Sequence, residues 1–282
     1  MALDRRLDAL LDNAEALGPQ IARHTAKAGA LDAFTKYEND PMAFAVEVLG
    51  LRADKIEHLR PLVESVRDHR YTAWVTSNAW GKDYGVGRII LPWWVFACRG
   101  FAVVTAATER QVKAVVMAEV RRGFLAAAKL PGTLYELGLK VSGPEPIGII
   151  GMTSTESSKL SGFHAPRLLA VLSEAQAIEP ECWEGVLSCA AGENDRVLAV
   201  GNPLLGSGRF HEVAHSSAWH VEQRSAFQHP NLVLERDVIP GAVTQRFVDM
   251  IRDEYGLTSG VYAARVLGQF PDSEGDALMA AR

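Results

Sequence analysis

The spacing of hydrophobic positions changes near residue 70. Before it, Leu3, Leu7, Leu10, Leu11 and Leu17 recur at helical intervals among charged residues, which predicts one or two amphipathic helices within residues 2–35. Residues 41–51 predict a short helix stopping at Gly50, and residues 55–69 a longer one. From Tyr71 onward, short aliphatic and β-branched runs alternate with helical stretches. Residues 72–76, 101–105, 147–150, 168–172 and 197–200 read as strands, with helices starting near residue 82 and over 109–129. Strands that are apolar throughout and alternate with helices imply an α/β fold, a mostly parallel sheet covered on both faces. Ligands of such sheets sit beyond the carboxyl ends of the strands, so the chemistry is expected in the residues that follow each strand.

Three of these positions carry polar groups. The first strand breaks into Thr76, Ser77, Asn78, Ala79, Trp80, Gly81, Lys82 and Asp83. A strand, a tight loop and a helix start place backbone N–H groups and one ammonium around a polyphosphate. The loop departs from the usual glycine-rich pattern: Thr76 stands at the first glycine position and Asp83 where a hydroxyl residue belongs. The strand at 168–172 is followed by Ser173 and Glu174, placed as an NTPase places the acid that orients or deprotonates water. A local alternative is that Ser173 caps a helix opening at Ser173-Glu-Ala-Gln176. The strand at 197–200 runs into Gly201, Asn202 and Pro203, a turn that offers a carboxamide to the same crevice.

Composition narrows the remaining possibilities. The chain has 282 residues, 48% of them hydrophobic and 22% charged, enough for one large domain with a small appendage. A formal net charge of −5 argues against a surface that grips nucleic acid all over, but the basic helix around Arg110, Lys113, Arg121 and Arg122 leaves a local phosphate contact open. No apolar run approaches bilayer thickness, since residues 89–97 are interrupted by Pro92. The first residues lack an apolar signal segment, so neither membrane insertion nor export is expected and the protein should act in a cytoplasm. Cys98, Cys182 and Cys189 lack the number and spacing of a zinc knot or disulfide framework and read as small buried residues.

His211-Glu212-Val-Ala-His215 matches H-E-x-x-H, which on a helix supplies two zinc ligands and a base, with His220, Glu222 or Glu235 formally available as the third ligand. The segment begins after Gly206-Ser-Gly208 and runs out at Ser216-Ser217, leaving little helix to hold two ligands rigid. A zinc hydrolase is therefore a remote alternative.

Over residues 40–275 the chain resembles the ATPase domain of the large subunit of tailed-phage terminases, the motor that pumps viral DNA into an empty capsid. The likeness is carried by Ser65-Val-Arg-Asp-His-Arg70, Thr105-Ala-Ala-Thr-Glu-Arg-Gln-Val112, Ser161-Gly-Phe-His-Ala-Pro-Arg-Leu-Leu169, Val200-Gly-Asn-Pro203, Ser207-Gly-Arg-Phe210 with Trp219, and Arg265-Val-Leu-Gly-Gln-Phe-Pro271, in that order. The resemblance implies a P-loop NTPase fold of the RecA/ASCE type, a mostly parallel sheet flanked by helices. Residues 1–54 would form a small helical N-terminal lid, 55–270 the ATPase core, and 271–282 the start of a linker toward a nuclease domain that this chain lacks.

It further implies ATP and Mg²⁺ at residues 76–83, with Lys82 on the β- and γ-phosphates, Glu174 as catalytic base and Asn202 in a coupling motif with Gly201 and Pro203. Arg121, Arg122 and Arg167 are candidates for an arginine donated to a neighbouring subunit's site, so hydrolysis by an isolated chain should be slow. The implied partners are double-stranded DNA, the portal protein, the small terminase subunit and further copies of the chain on a capsid, with a monomer possible in solution; the implied location is the host cytoplasm. The sequence departs from the family at Val75, where many relatives carry arginine, at His58, near where a glutamine reads adenine, and at Ser173, which replaces the first acid of the pair. Asp83 would supply the metal-side carboxylate that Ser173 lacks. The competing expectation is a degenerate, weakly hydrolysing or non-hydrolysing DNA-binding scaffold of the same fold.

Overall fold

Period-two alternation along the apolar strands packs a separate core against each face of the sheet. Trp74, Ala102, Val104, Leu169, Val171, Leu198 and Val200 pack into one, and their neighbours Ala73, Val75, Phe101, Val103, Ala170, Leu172, Val197 and Ala199 into the other. The computed structural model describes residues 17–24, 29–127, 129–142, 145–153 and 164–272. Its strands are β1 (Gln20–His24), β2 (Tyr71–Thr76), β3 (Phe101–Ala106), β4 (Gly132–Tyr135), β5 (Gly138–Val141), β6 (Ile147–Thr153), β7 (Leu168–Ser173), β8 (Arg196–Gly201) and β9 (His220–Arg224). They form a nine-stranded sheet in the order β1-β4-β5-β6-β3-β7-β8-β2-β9. Pairing is parallel from β6 through β9 and antiparallel from β1 through β6. The expected α/β fold, a mostly parallel sheet flanked by helices, is therefore present.

The helix that leaves β2 is continuous through Lys82–Tyr84, Gly85–Ile90 and Leu91–Phe96, and is buried over its last two segments except at Arg88. Its middle segment widens to π geometry immediately before Pro92, where the missing N–H of proline cannot continue an ordinary ladder. The long helix expected from residue 55 is broken into Ala53–Ile56, Glu57–Leu59 and Arg60–Asp68, with Pro61 in the first turn of the last piece.

Part of the expected helical lid is corrected. Gln20–His24 is an edge strand pairing with β4, because Gly18, with φ 72°, and Pro19 stop any helix arriving from the N-terminus. The helical spacing of the leucines ends at that break. Helical structure resumes as the 3-10 helix Ala30–Tyr37 and the helix Pro41–Glu47. The first turns of the expected lid, residues 1–16, and the linker from residue 273 lie outside the described residues. Among the described residues no helix is long and apolar enough to cross a membrane, and all three cysteines are buried.

Candidate functional site

Register decides which strand ends meet. Val75 on β2 is paired with Gly201 on β8, and Val200 on β8 with Ser173 on β7, so the residues that leave these three adjacent strands emerge side by side on one rim. Those residues are the loop 77–83, Glu174 and Asn202. β8 separates the loop strand from the acid strand, and its tip fills the space between them.

Lys82 lies at the centre of this rim. Its ammonium is buried and has three oxygen neighbours, Glu174 Oε1 at 3.1 Å, Asn202 Oδ1 at 3.3 Å and Asp83 Oδ2 at 3.4 Å. Burial alone would drive the ammonium toward its neutral form, but the carboxylates of Asp83 and Glu174 outweigh it and leave the pKa raised. Asn202 donates its amide to the Thr76 carbonyl at 2.7 Å, which fixes its oxygen toward the lysine. Glu174 takes left-handed backbone angles, φ 53° and ψ 49°, uncommon for a side-chain-bearing residue and a kind of strain that clusters at working sites. The carboxylate is held a second time by Gln176, whose Nε2 donates to Oε2 at 2.7 Å.

The helix-cap reading of Ser173 is overturned. Ser173 is the last residue of β7, the turn that follows is only the 3-10 helix Ala175–Ala177, and its N-cap is Glu174, which makes no side-chain cap bond.

The loop itself is braced from the C-terminal part of the chain. Ser77 and Asn78 donate their backbone N–H groups to the carbonyls of Arg224 and Arg265 at 2.9 and 3.0 Å, and Ala79 accepts from Val243 N–H at 3.0 Å. Trp80 is buried, and its indole N–H donates to the Ser225 carbonyl at 2.9 Å. Gly81, at φ 99°, makes the left-handed turn into the helix, a conformation that a Cβ would strain. Several polar atoms around this loop are buried without a partner among the described residues: Thr76 Oγ1, Ser77 Oγ, Asn78 Oδ1, Asp83 Oδ1 and Ser173 Oγ. Buried polar atoms are nearly always satisfied, so a cluster of orphans marks a place where a polar ligand fits.

The remaining candidates fall elsewhere. Arg121 and Arg122 lie on the helix Met117–Ala126, where Arg122 pairs with Glu119; Lys113 is tied to Glu109 at 2.6 Å and Glu136 at 2.9 Å. Arg167 precedes β7, at the opposite end of the strand from Glu174, and is engaged by Glu38 and the Cys98 carbonyl. His211 lies on the six-residue helix Arg209–Ala214 and His215 just beyond it, with His215 Nδ1 turned back onto the His211 carbonyl at 2.8 Å. His220 and Glu222 contact each other at 2.9 Å on β9, and Glu222 also holds Arg224. Among the described residues no three histidine, cysteine or acidic side chains converge as metal ligands.

Sequence reasoning missed Gln176 as a partner of Glu174 and the clamp on the loop. The carbonyls of Arg224 and Arg265 carry no side-chain signal, and Gln176 meets Glu174 only through the turn between them.

No family model matches the chain. A segment of 116 residues is 26% identical to a probable terminase large subunit of Enterobacteria phage P7, covering 41% of this chain and 23% of that relative. The large terminase ATPase domain of Thermus phage P74-26 superposes over 80% of this chain and 96% of its own length, with a TM-score of 0.58 at 14% identity. The large terminase of a thermophilic bacteriophage superposes over 82% of this chain and 53% of its own, with a TM-score of 0.52 at 9% identity, and its complex with ADP gives 0.51. The architecture is that of phage large-terminase ATPase domains. The chain spans about half the length of that thermophilic-phage terminase, and its match less than a quarter of the curated relative.

Proposed function

We propose that this chain is the ATP-hydrolysing motor domain of a phage terminase large subunit, acting on double-stranded DNA with a portal protein and a small terminase subunit. The observation that carries this reading is the meeting of Lys82, Glu174 and Asn202 on one rim of the parallel sheet, each following its own strand. The orphaned oxygens of Ser77, Asp83 and Ser173 fit a magnesium–nucleotide better than an apolar or neutral ligand, since a cation and phosphate oxygens would satisfy acceptors and hydroxyls together. Asp83, with Ser173 across the rim, would hold the magnesium, whose chemistry there is to neutralise phosphate charge.

The residues divide the work. Lys82 binds phosphate oxygens with the ammonium that the acids keep protonated. Without nucleotide, the Glu174 carboxylate is occupied by Lys82; once Lys82 turns to phosphate, Oε1 is free to accept a proton from the attacking water while Gln176 holds Oε2 in place. Asn202 touches both the lysine and the Thr76 carbonyl, a position from which loss of the γ-phosphate is passed to β8. An arginine from a neighbouring copy completes the charge stabilisation, which leaves the isolated chain slow. Of the three candidates, Arg122 and Arg167 are held by Glu119 and Glu38 and would have to exchange those partners.

Ser173 in place of an acid supports the second reading, a non-hydrolysing relic of the same fold. Titration with a fluorescent ATP analogue and an ATP turnover assay separate the two. Glu174→Gln should keep Mg²⁺-dependent binding and lose turnover about 10²-fold or more, and Lys82→Ala should lose both. Binding or turnover indifferent to Lys82→Ala would refute the motor reading.

A further inference from the structure

The rim opposite the Lys82 site, where β2, β3, β7 and β8 begin, gathers cations. Arg67, Arg167 and Arg196 line a cavity of about 100 Å³ together with Glu38, Asn39 and Asn194. Two of these guanidinium groups have carboxylate partners. Arg67 forks onto Asp68 at 2.7 and 2.8 Å, and Arg167 takes Glu38. Arg196 has none within 4.0 Å among the described residues; it donates only to the Asp195 carbonyl at 3.2 Å, and its Nε is buried without an acceptor.

The acid next to it in sequence is committed elsewhere. Asp195 Oδ1 accepts from Leu168 N–H at 3.0 Å and Oδ2 from Gly192 N–H at 2.6 Å, so its carboxylate closes a turn and starts β7 rather than serving Arg196. Burial lowers the Arg196 pKa; the nearby cations Arg70 and Arg167 act the same way, and Cys98 and Asp195 oppose them without reversing the shift. A half-buried guanidinium with no carboxylate in contact costs stability, and arginine does not relieve the cost by losing its proton near neutral pH.

We propose that this cavity binds a phosphate-class oxyanion, with Arg196 as its principal ligand and Arg167 and Asn194 beside it. A cavity of about 100 Å³ has room for one tetrahedral oxyanion. The fork of guanidinium donors matches phosphate geometry. The anion is either a free phosphate or one phosphodiester of a nucleic acid whose remainder lies outside the cavity.

The test uses the full chain carrying Lys82→Ala, which removes phosphate binding at the other rim. Inorganic phosphate at about 20 mM should raise Tm by about 2 °C over sodium chloride of matched ionic strength. Adding Arg196→Met should abolish that shift without lowering Tm in chloride, because it removes an uncompensated charge. Should Arg196→Met fail to fold, Arg196→Gln is read the same way. A phosphate shift of equal size with and without Arg196, or no shift in the parent, overturns the proposal. Anisotropy with a short labelled duplex then identifies the source. A weaker complex and a salt slope reduced by about one in the Arg196 variant assign a phosphodiester, whereas unchanged duplex binding with a lost phosphate shift assigns free phosphate.

Discussion

A single hydrogen bond separates an oriented carboxylate from a merely buried one. Gln176 Nε2 holds Glu174 Oε2 at 2.7 Å, and a Cβ built on Gly201 would stand 2.2 Å from Gln176 Oε1 and 3.0 Å from Phe210 Cε1. Gln176→Leu should therefore lower kcat for ATP about tenfold with little change in KM, since an oriented base matters mainly in the transition state. Gly201→Ala, by displacing the same carboxamide, should reproduce that split in steady-state kinetics; equal losses in kcat and affinity would contradict the positioning role. Asp83→Ala should raise the Mg²⁺ concentration needed for half-maximal nucleotide binding by about tenfold or more, checked by titration at fixed nucleotide. At this scale the sequence was largely readable, because Lys82, Glu174 and Asn202 each follow an apolar strand. Gln176 was not, because a carboxamide two residues past an acid has no signature until the turn between them is known.

Short elements carry the pH dependence. His229 is fully buried, and its Nδ1 accepts the backbone N–H of Asn231 at 3.2 Å, capping the helix Pro230–Val233. Its ring meets His58 edge-on at 4.9 Å, and Trp80 of the loop lies against both. Burial pushes His229 down to about 4, and burial with the neighbouring His229 pushes His58 down to about 4, from an ordinary value of 6.5. The unfolded chain binds these protons first, so the stability from keeping both rings neutral is complete above pH 6.5 and drains away as pH falls toward 4. Tm should fall across that window, and the fall should be shallower in His229→Leu, whatever that variant's own Tm at pH 7.5. A Tm curve of unchanged slope would contradict the assignment.

The elements themselves were unevenly legible. The buried parallel strands are plain as apolar runs, but β9, His220-Val-Glu-Gln-Arg224, is a polar edge strand paired with β2, and β4 and β5 are four-residue strands that each open on a glycine. β1 falls where the leucine spacing predicts helix, because Gly18-Pro19 ends that pattern and the edge strand begins beyond it.

Across the whole molecule, a third and smaller core steadies the loop from behind. Ala226, Leu232, Val243, Val248, Ile251, Val261, Tyr262 and Val266 cluster together, and the carbonyls of Arg224 and Arg265 beside that cluster receive Ser77 and Asn78. Val266→Ala should cost about 1–2 kcal/mol of stability by leaving a small cavity, and should weaken nucleotide binding as well, because the clamp and the cluster are one unit; denaturant melts and nucleotide titration of the same variant check both. None of this long-range bracing was legible, since it joins main-chain atoms of residues well over a hundred positions apart. The order of strands and the rim where ligands belong were legible, because they follow from alternation of strand and helix. A crystal structure with a non-hydrolysable ATP analogue and Mg²⁺ tests the central claim most directly. It should show phosphate oxygens on the Lys82 ammonium, the cation beside Asp83, and Glu174 released from the lysine but still held by Gln176. A nucleotide bound elsewhere, with the Lys82–Glu174 pair intact, would contradict the account.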